Sequence, residues 1–136
     1  MAKKRNAQAR AFALTAAQVA NERHCSDIVV LDLKGKSPAT DYFVIATGTS
    51  DRQMRTVADE ICNAARQHGL QRFGRAGYEQ ARWILLDFID VVVHIFDRQY
   101  RDYYDLELLW GDAKKLNIDR NIINDRQRIS SSNNSL

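Results

Sequence analysis

This chain is poor in the residues that usually announce secretion or catalysis. It holds one proline and two cysteines in 136 residues. Cys25 and Cys62 lie far apart and lack metal-ligand spacing, so they read as free thiols, as expected in the cytoplasm. No apolar run approaches the roughly twenty residues that a membrane-crossing helix needs. The N-terminus is basic but has no compact apolar stretch followed by a small-residue cleavage site, so no signal peptide is expected. No serine sits in a nucleophile-elbow pattern, and neither cysteine has the flanking signature of a nucleophile. This thin inventory favours a binding protein over an enzyme, and no cofactor is expected.

Acidic residues are missing from residues 1–10, which carry Lys3, Lys4, Arg5 and Arg10. Residues 113–136 have a net charge of +3, and residues 11–112 a net charge of −4. Three parts are expected: a basic flexible N-terminus (1–10), an α/β domain (11–112) and a basic tail (113–136). The tail ends in the low-complexity stretch Ser130–Ser135, which predicts disorder. Basic ends suit contact with nucleic acid or a ribonucleoprotein, or are simply solvated. The whole composition, 45% hydrophobic and 27% charged, is that of one globular domain.

Residues 83 to 96 form the most informative segment. They read as two strands joined by a tight turn at Ile89-Asp90. Phe88 then faces Val91, Leu86 faces Val93 and Ile84 faces Ile95, all on one apolar face. Trp83, Leu85, Asp87, Val92, His94 and Phe96 share the other face. That face is too polar for an ordinary core and too aromatic for an ordinary solvated surface.

Elsewhere, residues 7–24 predict a helix with a stripe of Phe12, Ala16, Val19 and Ala20. Asp27–Leu33 and Tyr42–Thr47 predict strands, the second central because it is nearly all apolar. Ser50 and Gln53 fit a reciprocal helix cap. Met54, Val57, Ala58, Ile61, Cys62 and Ala65 then follow at helical spacing up to a stop at Gly69. A short strand is expected near residues 71–73, and a helix over 98–111 with Tyr100, Tyr104 and Leu108 on one stripe. The order predicts an α/β fold, a mixed sheet of about five strands flanked by helices.

Two constellations invite chemistry. Gly48-Thr49-Ser50-Asp51 at a strand-to-helix junction could take a phosphate, but it lacks the lysine and spacing of a P-loop, and helix capping explains it. Asp32, Asp41, Asp87, Asp90 and His94 could in principle hold a metal. However, they are scattered over strand ends and a turn, so no metal site is expected. The aromatic helix, with Tyr100, Arg101, Tyr104 and Trp110, is either core or a dimer or secondary interface.

Four motifs then carry a resemblance. Residues 27–37 (Asp-Ile-Val-Val-Leu-Asp-Leu-Lys-Gly-Lys-Ser), 40–50 (Thr-Asp-Tyr-Phe-Val-Ile-Ala-Thr-Gly-Thr-Ser), 83–96 and 101–110 (Arg-Asp-Tyr-Tyr-Asp-Leu-Glu-Leu-Leu-Trp) resemble the ribosomal silencing factor (Iojap-like) family in order and interval. The resemblance covers about residues 10 to 113. It implies a nucleotidyltransferase-like fold without the catalytic carboxylates, no enzymatic activity and a homodimer. It also implies binding to large-subunit ribosomal protein fourteen that blocks joining of the small subunit. An acidic domain suits such a basic partner, and the basic ends would then be placed to touch ribosomal RNA. By this resemblance Trp83 and Asp87 belong to the partner-binding surface, with Leu85, Val92, His94 and Phe96 beside them.

Two departures stand out. Relatives usually have Glu-Gly where this chain has Ala76-Gly77, and Gly in the hairpin turn where it has Ile89, a β-branched residue that is costly at positive φ. The rival readings are a large-subunit assembly factor using the same surface, a nucleotidyltransferase-like enzyme, and a nucleic-acid binder acting through the basic ends.

Overall fold

The computed structural model describes residues 2–72 and 74–118. It is a mixed α/β fold built on one six-stranded sheet. Helix α1 (Ala2–Glu22) leads into β1 (Ser26–Asp32) and β2 (Tyr42–Thr47). Helix α2 (Asp51–Gln67) then precedes β3 (Gly74–Ala76), β4 (Trp83–Asp87) and β5 (Val91–Phe96). Two short helices follow, α3 (Arg98–Tyr104) and α4 (Leu106–Leu109), and β6 (Lys114–Lys115) is the last strand.

The strand order is β3-β4-β5-β2-β1-β6. β2 and β5 are parallel, and every other pair is antiparallel. The apolar β2 is therefore central, as its composition predicts. The hairpin register also matches expectation: Ile84 pairs with Ile95 and Leu86 with Val93, and Phe88 N–H donates to Val91 O at 2.9 Å.

The inner sheet face is sealed. Ile84, Leu86, Phe88, Val91, Val93 and Ile95 are all buried against α1 and α2. α2 contributes Met54, Val57, Ala58, Ile61, Cys62 and Ala65, the stripe its spacing predicts. Its cap is half as expected. Ser50 Oγ accepts from Gln53 N–H at 3.1 Å, but Gln53 Oε1 reaches one residue further back, to Thr49 N–H at 2.8 Å. The other end of that amide donates to Arg23 O at 2.7 Å, tying the helix start to the loop after α1.

Four boundaries are corrected. α1 begins at Ala2, so residues 2–10 continue the helix instead of forming a separate basic terminus. A tertiary contact supports this extension: Arg5 grips Asp90 in the hairpin turn through two bonds of 2.6 and 2.8 Å. The domain does not end at residue 112, because Ala113, Leu116 and Ile118 are buried and β6 pairs with β1. The short strand is at Gly74–Ala76 rather than near 71–73. The helix expected over 98–111 breaks at Asp105, which adopts a left-handed φ of 44°. The Ser130–Ser135 stretch lies outside the described residues.

Candidate docking surface

The outer sheet face carries the mixed set of residues, and the ladder arranges them in rows. Leu85, His94, Ile45 and Val29 lie side by side across β4, β5, β2 and β1. The next row is Asp87, Val92, Phe43 and Leu31. Trp83 pairs with Phe96, which pairs with Thr47.

This face is covered only in part. Leu31, Leu33, Ile45, Phe96 and Ala113 form a second small core, packed against Val29, Phe43, Trp83, Tyr100, Leu106 and Trp110. The side toward β1 is closed by residues of α3, α4 and the turn after them. Toward the hairpin tip, Leu85, Asp87, Val92 and Phe43 are half-buried, as is Trp83 at the other end of β4.

The expected contact residues therefore divide. Trp83, Leu85, Asp87 and Val92 reach the surface. His94 and Phe96 do not, at 3% and 1% exposure, because the aromatic layer above them closes over the strand. They support the surface from beneath: Phe96 stacks on Trp83 at 4.8 Å, and Trp83 Nε1 donates to His94 Nδ1 at 3.1 Å. Burial pushes the His94 imidazole down to a pKa of about 3 and keeps it neutral. Phe43 was missed. Its place beside Val92 depends on the parallel β2–β5 register, which no local pattern reveals.

The second expected set also divides. Arg101 is buried and holds the fold together. Its guanidinium donates to Glu107 Oε1 at 2.8 and 3.0 Å, to Thr47 Oγ1 at 2.9 Å, and to the Asp27 carbonyl. At 6% exposure it offers little surface for an interface. Tyr100 is half-buried under the Arg82 guanidinium at 4.7 Å, and Trp110 is half-buried with its ring 6.0 Å from Phe43. Tyr104 is half-exposed and lies 4.9 Å from the Trp83 ring. Because Asp105 breaks the helix, Leu108 does not continue the Tyr100–Tyr104 stripe inward. Leu108, Leu109 and Tyr103 are instead largely exposed. The exposure of Leu108 departs from what helical periodicity predicts.

The turn beneath this surface is strained. Ile89 has a φ of 72°, a region that costs a β-branched residue dearly. Asp87 Oδ1 accepts the Ile89 N–H at 2.8 Å and helps to hold it there. Asp87 is thus both a surface acid and a turn brace. In the loop before β4, Gly77 also has a positive φ, and a Cβ there would meet the Trp83 carbonyl oxygen at 1.9 Å. That glycine lets the loop pass close behind the tryptophan.

The other candidates have plainer roles. The helix-start donors at Thr49 and Gln53 bond to Gln53 and Ser50 side chains. Asp32 accepts Lys34 N–H at 3.0 Å, and Asp90 pairs with Arg5. Among the described residues, no three His, Cys, Asp or Glu side chains gather as a metal site would require. No described helix is long and apolar enough to cross a membrane.

Fold and surface together define a mixed α/β domain with one sealed sheet face and one partly open, aromatic-backed face. The family model described as "Ribosomal silencing factor during starvation" matches residues 6–135. Ribosomal silencing factor RsfS of Bacillus subtilis (strain 168) is 43% identical over 104 residues, covering 76% of this chain and 88% of that protein. The chloroplastic protein Iojap of Zea mays is 34% identical over 116 residues, covering 83% of this chain and 49% of that protein. A crystal structure of a Chromobacterium violaceum protein superposes with a TM-score of 0.69 at 33% identity, covering 76% of this chain and 83% of that one. The chain belongs to the ribosomal silencing factor family.

Proposed function

We propose that this protein represses translation by binding the large ribosomal subunit and blocking small-subunit joining, with large-subunit ribosomal protein fourteen as its direct contact. Membership of the silencing factor family supports the ribosomal part of this reading. The observation that carries the contact is the partly open end of the outer sheet face. Apolar Leu85, Val92 and Phe43 surround one acid, Asp87, beside Trp83 and Tyr104. Such a patch offers apolar area with an acceptor for a charge-assisted bond, and residues 11–112 carry a net charge of −4. A basic ribosomal protein is a complementary partner. The protein acts as a regulator in the cytoplasm, where ribosomes are, and not as an enzyme.

Two measurements test this. Purified large subunits are mixed with small subunits and sedimented with and without the protein; an undiminished joined-ribosome peak would exclude repression by steric block. Recovery of ribosomal protein fourteen is then compared for wild type, Leu85→Arg and Trp83→Ala with Asp87→Arg. Leu85→Arg matters because Asp87 also braces the turn, so losing it alters the hairpin as well as the surface. Equal recovery by all three would remove the proposed surface. Light scattering tests the homodimer, for which exposed Tyr103, Tyr104, Leu108 and Leu109 are available and buried Arg101 is not.

A further inference from the structure

His94 and Trp83 are diagonal neighbours on the outer face, since Trp83 pairs with Phe96 and His94 with Leu85. The indole Nε1–H donates to His94 Nδ1 at 3.1 Å. An indole nitrogen can only donate, so Nδ1 must present a lone pair. The imidazole is then neutral, with its single proton on Nε2. That second nitrogen is buried and has no hydrogen-bond partner among the described residues. The ring sits among aromatics, 4.5 Å from Phe43 and 6.2 Å from Phe96. One nitrogen of a buried histidine is thus left unpaired, while the other serves the tryptophan alone.

This bond acts with a stack. Phe96 lies against the indole at an interplanar angle of 30°, and Tyr104 flanks it at 46°. The Trp83 ring is held in one orientation before any partner arrives, and its only polar atom already has an acceptor. Asp87 differs: Oδ1 takes the Ile89 N–H, and no described donor reaches its second carboxylate oxygen.

We propose that His94 is a positioning residue for docking: it engages the Trp83 N–H so that the fixed indole meets the partner through carbon atoms alone, leaving polar recognition to Asp87. The proposal rests on the reading of this face as the ribosome-binding surface. A pre-set aromatic anchor loses little freedom on binding and offers no donor to an incorrect partner. The tautomer is a required part of it. A proton on Nδ1 would turn the Trp83 contact from a bond into a clash of two donors.

The test uses the full chain as wild type, His94→Phe and His94→Asn. Phenylalanine keeps the buried ring but has no acceptor. Asparagine loses the ring but places an oxygen near the position of Nδ1. Nitrogen-15 spectra of wild type should show Nδ1 unprotonated and Nε2 protonated at neutral pH. The Trp83 indole N–H, assigned with the help of Trp110→Phe, should exchange with solvent about tenfold faster in His94→Phe, as expected for loss of one hydrogen bond. Affinity for purified large ribosomal subunits should fall about tenfold in His94→Phe and return to within about threefold of wild type in His94→Asn. That pattern separates positioning from stability, because asparagine is the more destabilising change and yet the better binder.

A proton on Nδ1 in wild type overturns the proposal even if His94→Phe fails to fold. So does unchanged affinity in a folded His94→Phe, with wild type still binding, and the docking reading then stands alone. If wild type itself does not bind large subunits, the docking reading and this proposal both fall.

Discussion

The two faces of one hairpin are built to different standards of closure. On the inner face six apolar side chains from β4, the turn and β5 vanish beneath α1 and α2. On the outer face the same strands are covered at one end by an aromatic layer and left partly open at the hairpin tip. Adjacent residues, Leu86 at 0% exposure and half-buried Leu85, differ only in which way they point. A sealed face is paid for by burial alone. A face that is half-closed can be closed further by a partner, and its aromatic backing keeps the open part in shape until then.

The strongest way to break this comparison is the neighbouring pair Leu86→Ala and Leu85→Ala. The first should cost about 3–4 kcal/mol, since it leaves a cavity in a packed core. The second should cost about 1 kcal/mol or less and act instead on recovery of large subunits. Urea denaturation of both reads the difference, and equal costs would mean that the outer face is as sealed as the inner.

The layer that half-covers the outer face depends on Arg101. Arg101→Ala strands the Glu107 carboxylate and leaves Thr47 Oγ1 and the Asp27 carbonyl without this donor, at a cost of about 2–3 kcal/mol. Increased solvent exposure of Trp110, read by fluorescence quenching, would show that α3 and α4 have loosened from the sheet. The inner face should keep its slow amide exchange.

Acid should also distinguish the faces. His94 is held neutral by burial, with a folded pKa of about 3 against an ordinary 6.5. The unfolded chain takes up this proton first as pH falls. Stability from this group is therefore complete above about pH 6.5 and declines toward pH 3, by about 1.4 kcal/mol per pH unit. Urea midpoints from pH 7 to 4 should fall more steeply in wild type than in His94→Asn. Parallel profiles would place the acid sensitivity elsewhere.

The smallest effect concerns the turn that joins the faces. Ile89→Gly should stabilise by about 1 kcal/mol, because glycine adopts the positive φ without steric cost. Thermal melting reads it. A loss of stability would mean that the half-exposed isoleucine side chain contributes packing that outweighs its strain.

Much of the hairpin was legible in the chain itself. Alternation assigned each residue of 83–96 outside the Ile89-Asp90 turn to a face, and three-and-four spacing picked out the buried stripe of α2, because both patterns act between near neighbours. At Ile89 the chain showed only a β-branched residue in the turn, which argued for a different turn geometry; that Ile89 nevertheless takes a positive φ is a fact of the structure. The cover was not legible. His94 and Phe96 belong to the face that alternation gives them, but their burial was not legible, because what lies against them comes from Phe43, from the Trp83 ring and from residues 100–113. The break at Asp105 hid that cover, as did the inward course of Arg101.

The sequence by itself determined which way each side chain points, through local geometry with a fixed period. Only the tertiary structure decided what each side chain meets. The parallel β2–β5 pairing brings Phe43 beside Val92. The Asp105 break turns α4 so that Leu108 and Leu109 are exposed, and residues 113–118 extend the domain past its predicted end. Each depends on contact between segments distant along the chain, where no repeat of neighbouring residues carries the register.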